Sequence, residues 1–79
     1  MLIRSQNKAF LLNFSNLAAI YTVKDGDDFI ISSLEGENKC TLGKYSSEAK
    51  ALKILDMIQE AYVNGHMDYQ MPADSEVVV

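Results

Sequence analysis

The sequence predicts an α+β fold: an antiparallel meander of about five strands, curled and packed by one C-terminal helix. Two observations carry this reading. Through residue 45, short runs rich in Ile, Val, Tyr, Phe and Thr alternate with turn-forming residues. Residues 46–64 then show helical periodicity with a cap at each end.

Leu2–Ser5 reads as the first strand. Gln6-Asn7-Lys8 supplies a turn, with Asn the expected left-handed residue. Ala9–Phe14 is the second strand, with Phe10, Leu12 and Phe14 on one face. Ser15-Asn16 breaks it, since both side chains can bond the local backbone. Leu17–Lys24 and Asp28–Leu34 follow, joined by Asp25-Gly26, where Gly provides the positive φ of a tight hairpin. Glu35–Asn38, containing Gly36, turns the chain into Lys39–Tyr45. Strands joined by turns this short pair antiparallel.

The helix begins at Ser46-Ser47, whose hydroxyls suit an N-cap, and ends at Asn64-Gly65. Ala51, Leu55, Ile58 and Tyr62 fall on one stripe with Ile54 beside them; Lys53, Asp56 and Glu60 fall opposite. Tyr62 is accordingly expected in the core. These elements make residues 1–65 one α+β domain. Residues 66–79 read as an extended, partly disordered acidic tail. Met67–Met71 adds a segment at a sheet edge, Pro72 ends it, and Ala73–Val79 is expected to be mobile.

Most strands are apolar on both faces, whereas a sheet with one wet face alternates. One helix covers one face only. Either the sheet curls around its own core, as in a reduced pleckstrin-homology-like roll, or a flatter sheet closes a dimer with its second face. In the second case Phe29, Ile31, Leu52 or Met57 would lie at the interface. Small domains without a disulfide or metal commonly self-associate, which also favours a homo-oligomer, a dimer first.

Composition excludes several classes. Hydrophobic residues make up 48% of the 79, far above a disordered chain. No apolar run is long enough to span a bilayer, and no basic start leads into an apolar block. The net charge of −4 argues against direct nucleic-acid binding and against an anionic membrane surface. Cys40, the single cysteine, reads as a small buried hydrophobe and suits a reducing cytoplasm. With one His, one Cys and no glycine-rich phosphate loop, no metal, cofactor or catalytic set is expected, and the chain reads as a non-enzyme. Contact residues for a ligand or partner are sought instead at Arg4, Tyr21 and Tyr69, and at the acidic turn residues Asp27 and Asp28.

Several segments resemble one group of proteins. Ile3-Arg4-Ser5-Gln6, Asn13-Phe14-Ser15-Asn16-Leu17, Leu42-Gly43-Lys44-Tyr45-Ser46-Ser47-Glu48, Leu55-Asp56-Met57-Ile58 and Tyr69-Gln70-Met71-Pro72-Ala73-Asp74 together resemble short proteins encoded by phages and prophages of Gram-positive bacteria. The resemblance spans nearly the whole chain. It implies an accessory phage protein acting in the bacterial cytoplasm, and the surplus apolar strand faces and acidic segments point to one that binds and inhibits a host or anti-phage defence component. Two other functions fit this origin. One is an oligomeric sponge for a small anionic, nucleotide-like signal; the other is a structural or assembly role in the phage.

Overall fold

A computed structural model describes all 79 residues. The chain forms β1 (Leu2–Arg4), β2 (Leu11–Asn13), β3 (Ala19–Asp25), β4 (Asp28–Glu35), β5 (Asn38–Tyr45), α1 (Glu48–Val63) and β6 (Asp68–Gln70). Short 3₁₀ turns occupy Phe14–Asn16 and Asp74–Glu76. The fold is α+β, but its strands do not make one meander. They divide into two open three-stranded sheets, ordered β2-β1-β6 and β3-β4-β5. The division falls at the break after β2. There Asn13 caps the 3₁₀ turn by accepting a hydrogen bond from the Ser15 amide, and the chain is diverted before it can pair β2 with β3. β1 pairs antiparallel with β2 and parallel with β6.

Both predicted hairpins of the second sheet form, each with a two-residue loop and a glycine in the left-handed region, Gly26 at φ 62° and Gly36 at φ 60°. In the β1–β2 turn the left-handed residue is Lys8, at φ 64°, rather than Asn7. Asn7 acts through its side chain, which accepts from the Ala9 amide and the Ser5 hydroxyl.

Ser47 caps α1 by accepting from the Lys50 amide. At the other end, His66 N–H donates to the Ala61 carbonyl and Gly65 N–H to that of Tyr62, a Schellman stop with Gly65 left-handed. The buried stripe is Ala51, Ile54, Ile58 and Ala61. It is rotated from the predicted one, and Tyr62 is 56% exposed rather than in the core. The rotation follows from where β6 lies: the helix packs against both the second sheet and β6, so small Ala61 turns inward.

One core joins the two sheets, the helix and the C-terminal segment: Ile3, Ile31, Leu42, Tyr45, Ala51, Ile54, Ile58, Met71 and Val77. A domain boundary at residue 65 therefore misplaces part of this core, since Met71 and Val77 lie beyond it. Met67–Met71 does contain the expected edge strand, β6. Beyond Pro72 the chain is tied down by named bonds. Tyr45 Oη donates to the Pro72 carbonyl at 2.8 Å, Asp74 Oδ1 accepts from the Ser46 amide at 2.8 Å, and Lys50 Nζ reaches the Asp74 carbonyl and carboxylate.

Gln6 joins the sheets. Its amide N–H donates to the Leu42 carbonyl at 2.7 Å. Its side-chain Oε1 accepts from Lys44 N–H, and Nε2 donates to the carbonyls of Lys44 and Pro72. The carboxamide thus pairs with β5 as a neighbouring strand's peptide group would. The β4–β5 register shifts between Ile31 and Ser32, leaving Leu42 as an extra, bulged residue on β5. Gly43 beside it has no room for a side chain: a Cβ there would lie 3.1 Å from the Tyr45 ring and 3.2 Å from Gln6 Cβ.

Candidate functional site

The principal apolar cleft lies where the break after β2 meets the helix. One wall is Phe14, Leu17 and the Ala18–Ile20 segment that opens β3; the other is Leu55, Ile58, Gln59 and Tyr62 of α1. It encloses about 300 Å³, and Gln59 is its one non-hydrophobic lining residue. Two local causes produce it. The 3₁₀ turn separates β2 from β3 opposite the helix flank, and Ala18-Ala19 then leaves empty the space that larger strand residues would fill. Phe14 and Tyr62 close one end, with ring centroids 5.1 Å apart and planes tilted by 33°.

The residues nominated from sequence do not converge here. Arg4 is exposed on β1, its guanidinium donating to the Lys8 carbonyl at 3.2 Å. Tyr69 lies on the neighbouring strand β6, paired with Ile3, whose side chain points to the core side, opposite to Arg4. Tyr69 is half-buried: it packs on the core and also lines a shallow depression beside Met57, Glu60 and His66. Its hydroxyl is buried without a partner, and burial raises its pKa. Tyr21 belongs to the other sheet. Arg4, Tyr21 and Tyr69 therefore form no common anion pocket. Asp27 is exposed in the β3–β4 turn, and Asp28, half-buried, opens β4.

The interface candidates fare unevenly. Ile31 is fully buried in the core and is withdrawn as an interface residue. Phe29 and Met57 are half-buried and pack against the same core, so they too serve it. Leu52, 46% exposed, stays on the surface. Ile20, Thr22, Phe29 and Ile31 occupy the covered face of the second sheet, and Tyr21, Val23, Ile30 and Leu34 occupy the face away from the helix. Cys40 is half-buried in β5.

Electrostatic effects gather at the start of the helix, remote from the cleft. The Ser46 backbone N–H, ahead of Lys50, holds the Asp74 carboxyl below its ordinary value. Burial, with smaller contributions from Tyr69, Asp74 and Glu76, pushes the Tyr45 phenol well above its ordinary range. Both groups hold the C-terminal segment against β5 and the helix, which is a structural task. No three His, Cys, Asp or Glu side chains come together as a metal site would require. No helix is long and apolar enough to cross a membrane.

Sequence reasoning missed the cleft, although it left a trace. Ala18-Ala19 is the one pair of small residues in a run otherwise made of bulky strand formers. No protein-family model, curated protein or solved structure matches the chain.

Proposed function

We propose that this chain is a non-enzymatic binding protein, an accessory protein of phage origin acting in the bacterial cytoplasm, which blocks a host or defence protein through the cleft between α1 and the start of β3. The observation that supports this reading is the cleft itself: about 300 Å³ of space lined by eight hydrophobic residues and Gln59. Small-molecule sites add a few precisely placed polar groups to an apolar lining, and the side chains here offer only the Gln59 amide and the Tyr62 hydroxyl. An apolar pocket of this size instead suits one or two anchor side chains of a protein partner, the usual centre of an interface.

Ala18 is exposed at the mouth of the cleft, so Ala18→Arg fills the mouth without disturbing the core. The expected result is a stoichiometric partner recovered from bacterial lysate with the native chain and weakened about tenfold or more by the substitution. Equal recovery by both chains would refute the cleft as the site.

A further inference from the structure

We infer that the partner docks as an extended strand on the open edge of β3, antiparallel to it, with basic residues beside the Asp25–Asp28 turn and an apolar residue in the cleft. This rests on the reading of the cleft above and adds a backbone mode, a direction and a charge pattern to it.

The backbone argument starts from the hairpin. A two-residue loop, Gly26-Asp27, closes on the pair Asp25–Asp28, which in such hairpins exchanges both hydrogen bonds. Counting back along β3, Asp25, Val23, Tyr21 and Ala19 turn their peptide groups toward β4. Ile20, Thr22 and Lys24 therefore turn theirs outward, and none of the three has a backbone partner outside the ladder. The other edges are less open. Gln6 occupies the outer edge of β5, and β2 and β6 are three residues each. β3 carries neither proline nor a bulge, the usual protections of an exposed edge.

Two features mark what belongs there. Ile20 contributes both outward peptide groups and a wall of the cleft, so a strand added to this edge runs directly into the cleft. At the far end stand Asp25, Asp27 and Asp28, of which only Asp25 has an ion pair, with Lys44 at 3.6 Å. An antiparallel strand brings its amino end to these carboxylates, so basic residues at that end complement them. A second copy of this chain fits less well. Pairing about Thr22 sets Asp25 of each copy opposite Ala19 and carries each acidic turn to the partner's apolar cleft.

The test is fluorescence anisotropy with a labelled peptide of about nine residues. It carries two arginines at the amino end, alternating threonine and valine, then leucine and phenylalanine. The controls are the reversed order and a version with glutamates replacing the arginines. The forward peptide is expected to bind at least about tenfold tighter than either control. Thr22→Pro removes an outward N–H that the β3–β4 ladder does not use, so the fold survives and binding falls about tenfold or more. Circular dichroism checks that variant, and Asp27→Lys, at an exposed turn, provides a second reduction independent of it. No binding, equal binding of the controls, or indifference to both substitutions would overturn the inference. Concentration-dependent self-association lost in Thr22→Pro would overturn it in favour of a second copy. If Ala18→Arg abolishes partner capture while Thr22→Pro does not, the cleft reading stands and the strand-docking inference fails.

Discussion

Met71→Ala is expected to destabilise the protein by about 2–5 kcal/mol, the range for truncating a buried long aliphatic side chain. Met71 is 1% exposed and belongs to the same core cluster as Ile3, Tyr45 and Ile54. A chain of 79 residues has a total stability of roughly 4–12 kcal/mol, so this loss removes a large share of it. Urea denaturation followed by circular dichroism measures the change. A cost below about 0.5 kcal/mol, typical of a surface site, would show that the segment after the helix is a dispensable tail. The result thus decides between the sequence reading, which ends the domain at residue 65, and the structure, which does not.

Gly43→Val is expected to cost about 1–3 kcal/mol through overpacking. The new Cβ would meet the Tyr45 ring at 3.1 Å and Gln6 Cβ at 3.2 Å. Neither neighbour can yield easily. Tyr45 is 1% exposed and anchored through its hydroxyl to Pro72, and Gln6 is held by bonds to Lys44 and Pro72. Valine is the ordinary improvement at a strand position, so a loss here separates the sheet joint from general strand propensity. A variant as stable as the parent would mean that Gln6 does not seat closely on the bulge of β5.

Local structure was largely legible in the sequence, while long-range assembly was not. The two hairpins, the Ser47 cap and the Asn64-Gly65 stop follow from residues within a few positions of one another, so local signals specify them. The parallel pairing of β1 with β6 joins residues more than sixty positions apart, and no local signal specifies it. That pairing is also why the helix stripe was misread. With β6 beside the helix, Ala61 becomes an inward residue and Tyr62 swings out to stack on Phe14. The second sheet carries apolar residues on both faces, and the helix covers one of them. The other face of the second sheet, with Tyr21, Val23, Ile30 and Leu34, stays outside the core cluster. The cleft was illegible because it forms from a break, a pair of alanines and a helix flank that are distant in sequence. Arg4, Tyr21 and Tyr69 were chosen by chemical type, and chemical type does not bring side chains on different sheets and faces together.

A partner seated on the flank of α1 facing β3, as proposed, is within reach of site-specific photo-crosslinking in bacterial cells. A benzophenone amino acid replaces Gln59, which lines the cleft, or Lys53, which is exposed and about 120° away around the helix. A discrete crosslinked protein is expected from position 59 and none from position 53. Crosslinking from position 53 alone, or equally from both, would contradict it.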